Sequence, residues 1–240
     1  MQHFFLPSDS FKESEIVFPP QTSRQIIQVL RLKPEAHVIV LDGSGKEFEV
    51  ELVIAGRNVT GKIVSSRVSN REAAVKLHLF FALSQRERVE MILQKCTEVG
   101  VVEFTPLITS RTLVQDKKSV EQKRERWQAI IREAAEQSER SRLPKLNSVL
   151  SFSEVLSSTK SNEMKILAWE QEESQTIRSV LVDFQKGPVS LMVGPEGGFS
   201  EEEAVHAKVA GWRPVTLGRR VLRMETAAIV ASALVIDSNL

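Results

Sequence analysis

From Val75 onward the chain alternates short apolar runs with helical stretches, and few folds accommodate that alternation. Met164 to Ala168 and Val189 to Val193 are short apolar strands of the kind buried between helices in a parallel sheet. Val75 to Leu83 and Val101 to Ile108 read as two earlier strands, with Pro106 suggesting an edge strand or a strand end. Pro214 to Leu217 reads as the last strand and Glu225 to Asp237 as the last helix. Between strands, Val89, Ile92, Leu93, Cys96 and Val99 fall on one helical face that Gly100 can close. Trp127, Ile130, Ile131 and Ala134 form the apolar stripe of a second, longer helix. Two Ser-x-x-Glu runs, Ser84 to Glu87 and Ser200 to Glu203, match the capping box that opens a helix. The second of these helices should stop near Gly211. The fold class expected is α/β with a mostly parallel sheet.

The first part of the chain has a different rhythm. His37 to Leu41, Glu47 to Ile54 and Asn58 to Val64 alternate or cluster β-formers, punctuated by Asp42-Gly43 and Ala55-Gly56 as turns. Short strands at this spacing suggest a small barrel, interrupted by a helix around Ser23 to Leu30. The polar stretch Ser69 to Glu72 marks the expected boundary, giving domains at 1–70 and 74–240.

Two loops carry the chemistry. Gly194-Pro195-Glu196-Gly197-Gly198-Phe199-Ser200 joins a strand to a helix. Its glycines expose backbone N–H groups and leave room for a ligand, although a structural turn would use the same residues. It matches neither a phosphate-binding Walker loop nor a dinucleotide fingerprint. Leu217 to Ala227 adds Arg219, Arg220 and Arg223, whose planar forks suit phosphate and base edges. The alternative there is a solvated loop whose arginines pair with Glu196 or Glu225. A third basic stretch ends in Arg140-Ser141-Arg142 before Pro144.

Bulk properties narrow the classes. A net charge of +1 over 240 residues means that any nucleic-acid binding must come from local patches. Cys96 is the only cysteine, which excludes an internal disulfide and a multi-cysteine zinc site. The four histidines show no metal-ligand spacing, and no metal is expected. Ala227 to Ile236 is too short to span a bilayer, so a cytoplasmic chain is expected.

Taken together, His3-Phe4-Phe5, Val29-Leu30-Arg31-Leu32, Gln94 to Val101, Glu133 to Ser138 and the two C-terminal loops resemble one known family. The chain is similar to the bacterial 16S ribosomal RNA (uracil-N3)-methyltransferases, of the SPOUT class of S-adenosylmethionine-dependent enzymes. It differs in having Gln85-Arg86 where Lys-Gly is frequent, and Cys96 where alanine is common. The resemblance implies a PUA-like barrel, then a SPOUT domain with a C-terminal trefoil knot, working as a homodimer on 16S rRNA or the assembled small subunit. It implies that S-adenosylmethionine is held by Ala168, Trp169, Met192, Val193, Gly194, Gly197, Leu217, Gly218, Leu222 and Met224. Methylation at N3 asks for donors to the uracil oxygens, for which Arg223 and then Arg219 are the candidates, and for help with proton loss, for which Glu196 and Glu225 are nearest. Arg24 and Arg31 in the small domain, and Arg140 and Arg142 in the larger one, are the expected RNA contacts. A non-catalytic RNA-binding or ribosome-assembly factor would use the same arginines without needing both glycine loops.

Overall fold

The computed structural model describes residues 1–113, 116–159, 163–182, 184 and 187–237. The chain divides into two compact units, Met1–Glu72 with Ala135–Leu143, and Ala73–Ala134 with Pro144–Leu240.

The first unit contains β1 (His3–Phe5), β2 (Glu15–Val17), α1 (Pro20–Arg24), β3 (His37–Leu41), β4 (Lys46–Ala55) and β5 (Asn58–Val68). Helix α1 starts earlier than the apolar spacing suggests because Pro20 occupies its first turn, where a missing N–H costs nothing. It runs on as a π-turn over Gln25–Val29. The sheet order is β1-β3-β4-β5-β2, with β1 parallel to β3 and the other pairs antiparallel. Phe4, Ile16, Phe18, Ile26, Val38 and Val50 fill its core. Gly61 is required there, because a Cβ would collide with the Val50 side chain on the paired strand.

The segment Ala135–Leu143 corrects the expectation of an uninterrupted second domain over 74–240. Ala135 and Leu143 pack on Phe5, Ile39 and Leu41, and Glu136 Oε1 accepts the Phe5 N–H at 2.9 Å. That apolar patch had no cover of its own within the first 72 residues.

The second unit runs β6 (Lys76–Ala82), α2 (Arg86–Val99), β7 (Glu103–Ile108), α3 (Lys117–Glu121) and α4 (Arg124–Gln137), whose last turn from Ala135 belongs to the first unit. It continues with β8 (Lys145–Leu146), β9 (Leu150–Ser151), α5 (Phe152–Ser158), β10 (Met164–Ala168), α6 (Ile177–Leu181), β11 (Pro188–Val193), α7 (Glu201–Val209), β12 (Arg213–Val215) and α8 (Met224–Asp237). The strand order is β12-β10-β11-β6-β7-β8, β9 also pairing with β7, and every pair is parallel. Helices cover both faces. Leu77, Leu79 and Ile166 meet Ile92, Cys96 and Ala228 on one side, while Phe80, Leu167 and Met192 meet Ala204, Ala207 and Trp212 on the other.

Pro106 does not mark an edge: β7 has β6 on one side and β8 and β9 on the other. The proline lies where the outer partner changes, β8 pairing at Glu103–Phe104 and β9 at Leu107–Ile108, so no ladder bond is lost. Toward the amino ends of the strands, Lys165, Ser190, His78, Glu103 and Lys145 stand in one register row across five neighbouring strands. Each has a partner: Lys165 Nζ donates to the Ala210 carbonyl at 3.2 Å, Ser190 Oγ to Glu163 at 2.9 Å, and Lys145 Nζ to Glu103 at 3.2 Å. His78 Nε2 lies 2.8 Å from Thr105 Oγ1, and burial pushes its pKa down to about 4, so it is neutral near pH 7. Cys96 is fully buried and burial pushes its thiol up to about 12, which makes it a core side chain without nucleophilic character. No helix among the described residues is long and apolar enough to cross a membrane.

Candidate functional site

Strands β10, β11 and β12 end level with one another, Ala168 standing opposite both Val193 and Val215. Beyond those carboxyl ends, three loops enclose a cavity of about 480 Å³. Crevices outside the carboxyl ends of parallel strands are where α/β sheets bind ligands, because the loops there are free of the sheet's packing demands.

The first wall is Ala168, Trp169 and Glu170. Trp169 Nε1 is buried with no hydrogen-bond partner among the described residues, a donor left for something else to accept. The second wall is the glycine loop after β11. A Cβ on Gly194 would press on the Phe199 ring at 3.0 Å, and one on Gly198 would collide with the Glu170 carboxylate. Arg111 braces this loop from behind, its guanidinium donating to the Gly197 carbonyl at 2.6 Å. Ser200 then caps α7 as expected: its hydroxyl accepts the Glu203 N–H at 3.1 Å, and Glu203 returns the bond to the Ser200 N–H at 3.0 Å. The third wall is Thr216 to Met224 after β12. Gly218 sits there at φ +111°, a left-handed conformation that L side chains rarely adopt.

Of the residues expected to hold a cofactor, Ala168, Trp169, Val193, Gly194, Gly197, Leu217, Gly218, Leu222 and Met224 all line this cavity. Met192 does not. It is fully buried in the core beneath α7, because successive strand residues face opposite ways and only its neighbour Val193 reaches the cavity.

Arg219 and Arg223 line the same cavity, with Arg220 between them. All three are exposed, and none of their guanidinium groups has an ion pair or hydrogen bond to a described residue. Pairing with Glu196 or Glu225 is therefore not what they do here. Glu196 is taken instead by Arg88, from α2, and by the Ser84 hydroxyl, both reaching its Oε1. Burial pushes the Glu196 carboxyl up, but Ser84, its own backbone N–H and Arg88 outweigh that and leave it below the ordinary carboxylate value. The expected capping box at Ser84 is consequently absent: Gln85 is the cap residue of α2 and makes no side-chain cap bond. Arg88, Glu170 and Thr216 are site residues that reading the sequence missed. Glu225, expected beside the cavity, is buried in the first turn of α8 and does not line it; its Oε2 has no partner among the described residues.

The expected RNA contacts lie in the first unit, each in its own setting. Arg24 ends α1 and is exposed, and Arg31 is exposed at φ 51° just after the π-turn. Arg140 and Arg142, expected in the larger domain, belong to the first unit. Arg140 is also buried, its Nη2 bonded to Glu72 at 2.7 Å, which takes it out of reach of a phosphate. Arg142 is exposed. Among the described residues no group of three or more His, Cys, Asp or Glu side chains could hold a metal ion.

Residues 71–236 match the family model of an RNA methyltransferase domain, and residues 26–64 that of an RNA methyltransferase PUA domain. Ribosomal RNA small subunit methyltransferase E of Bacillus subtilis is 32% identical over 213 residues, covering 86% of this chain and 83% of that protein. The protein of the same name from Synechocystis is 35% identical over 208 residues, covering 86% of this chain and 67% of that one. Among solved structures, a ribosomal RNA small subunit methyltransferase E from Neisseria gonorrhoeae bound to S-adenosyl methionine superposes with TM-score 0.88 at 30% identity, covering 98% of this chain and 96% of that one. A putative methyltransferase from Legionella pneumophila in complex with the bound cofactor SAM gives 0.87 at 34% identity, covering 97% and 96%.

Proposed function

Because the chain belongs to the RNA methyltransferase family, with the PUA domain and SPOUT fold of that family, we propose that it methylates N3 of a uridine in 16S rRNA of the small ribosomal subunit, using S-adenosylmethionine. The observation that carries this reading is the glycine-walled cavity whose third wall presents three arginines with guanidinium groups that have no partner among the described residues. Relatives of this fold hold S-adenosylmethionine, and the residues here suit it. Side chains are missing where a ligand would need to approach backbone, at Gly194, Gly197 and Gly218, and the unpartnered Trp169 Nε1–H can donate. Ala168, Val193, Leu217, Leu222 and Met224 supply apolar surface for an adenine ring.

When bound, S-adenosylmethionine supplies an electrophilic methyl group. The chain's own residues have the other tasks. In net terms, methylation would exchange the N3–H bond and the cofactor's S–CH3 bond for N3–CH3, leaving the demethylated thioether and a proton, and negative charge gathers on the uracil O2 and O4 as the proton departs. Arg223 and Arg219 can donate to those oxygens, and in a partly enclosed cavity such donors are worth more than in water. Glu196, with Oε1 filled by Ser84 and Arg88 and its pKa held down, is a poor proton acceptor and a good anchor for the Arg88 guanidinium. Glu225 does not line the cavity, whereas the Glu170 carboxylate does. N3 is hidden within a base pair, so the target uridine must be unpaired or flipped out. The reading extends to a C-terminal trefoil knot, a homodimer and a cytoplasmic place of work.

The test is transfer of a labelled methyl group to bacterial small subunits lacking the modification, followed by nucleoside separation. Label in 3-methyluridine is expected. Label in another nucleoside would keep an rRNA methyltransferase and overturn the target atom.

A further inference from the structure

The bend that follows α4 is fastened at Glu139 and Arg140 by two adjacent residues at the end of the N-terminal sheet segment. Arg71 pairs with Glu139, and Glu72 pairs with Arg140, so opposite charges are matched in sequence order. Glu139 adopts φ 56°, a position where helices usually stop on glycine, and the Arg140 N–H reaches back to the Ala135 carbonyl at 2.9 Å. The two ion pairs flank that left-handed residue.

Glu72 is half-buried and uses both oxygens on this bend. Oε2 takes the Arg140 guanidinium at 2.7 Å; Oε1 takes the Ser141 and Arg142 N–H groups, each at 3.0 Å, and the Ser141 hydroxyl at 3.3 Å. Burial pushes this carboxyl up, and the Arg140 guanidinium and the backbone donors bring it below the ordinary value, so it stays charged. What the clamp presents is Arg142. Its backbone is held by Glu72, and its guanidinium lies along Gly45, where a Cβ would stand 2.9 Å from Nη2. Gly45 also sits at φ +99°, a conformation that favours glycine. The guanidinium itself has no ion pair or hydrogen bond to a described residue. The acids flanking Gly45 are occupied, Asp42 by the Ser44 N–H at 2.8 Å and Glu47 by Arg67 at 2.8 Å.

We propose that Glu72 is a positioning residue that sets Arg142 over the Gly45 turn, and that Arg142 there receives a phosphate of the RNA strand. This rests on the RNA substrate proposed above and adds which residue grips it and what holds that residue in place. An unneutralised arginine beside bare backbone suits a phosphate, because its planar fork matches the phosphate oxygens and no side chain blocks the approach.

The experiment measures binding of the full-length protein to small-subunit rRNA across a salt series, with S-adenosylmethionine affinity read in parallel. Arg142→Ala is expected to weaken RNA binding about tenfold at moderate salt and to lower the salt slope by about one. Arg142→Lys should keep the slope and lose part of the affinity. Glu72→Gln should reproduce much of the Arg142→Ala loss, and the double variant should be no worse than Arg142→Ala alone. An unchanged affinity and slope in Arg142→Ala would overturn the proposal. Fully additive losses in the double variant would overturn the positioning role of Glu72. Wild-type protein that binds S-adenosylmethionine but no rRNA would remove the substrate reading, and this proposal with it.

Discussion

Helices α2 and α7 begin with the same sequence pattern, Ser-x-x-Glu, and end up differently. At α7 the box closes, Ser200 and Glu203 exchanging bonds, and Glu203 also takes the Ser110 N–H at 2.8 Å. At α2 the serine turns away from its helix and donates to Glu196 in the cavity wall, and the helix starts without a side-chain cap. A cap is worth about 1 kcal/mol, small enough for a competing charged acceptor to outbid it. Local pattern wins where nothing else wants the side chain. Next to the candidate cavity, it loses.

That contrast separates chemistry from stability, and substitutions can break or sharpen it. The largest effect is expected on the far wall: Arg223→Ala should abolish methyl transfer while S-adenosylmethionine binding, measured by calorimetry, persists. Near wild-type turnover in that variant would take Arg223 out of the mechanism. Glu196→Ala should follow, lowering kcat/KM by about 100-fold through loss of the Arg88 anchor. If Glu196 were the base, Glu196→Gln would be as damaging as Glu196→Ala; as an anchor, the amide that still accepts from Ser84 and Arg88 should recover part of the rate.

Smaller effects divide the two serines. Ser200→Ala should cost about 1 kcal/mol in denaturant unfolding and leave kcat/KM within about twofold, whereas Ser84→Ala should leave stability nearly unchanged and lower activity. A stability loss at Ser84 equal to that at Ser200 would show that α2 is capped after all. The mildest test is acid. Glu72 and Glu196 both titrate below the ordinary carboxylate value, so their contribution is complete above the unfolded pKa and is lost as pH falls through the folded one. Tm should therefore decline on acidification below about pH 4, and Glu72→Gln should decline less steeply than wild type. Equal slopes for the two proteins would remove Glu72 from the acid sensitivity.

Much of the second unit was legible in the sequence because each of its signals is local. Apolar runs became strands β6, β7, β10 and β11, and glycine and arginine loops became the cavity walls. What escaped depends on partners distant in sequence. Ser84 and Glu196 are 112 residues apart, and no spacing rule connects them. Met192 and Val193 are equally apolar, so the strand that carries them does not say which one faces the cavity. Arg140 reads as a surface cation until Glu72, 68 residues earlier, is seen to bury it. The same distance hides the return of Ala135–Leu143 to the first unit, which rests on apolar contacts to Phe5, Ile39 and Leu41.

The polar row across the foot of the parallel sheet acts on the cavity from the opposite end. A strand that slid by one residue would exchange Lys165, Ser190, His78 or Glu103 for an apolar neighbour and strand the polar group in the other core. The row thus works as a levelling course, from which β10 and β11 rise by equal counts to Ala168 and Val193. The height at which a ligand meets those loops is decided at the far side of the domain.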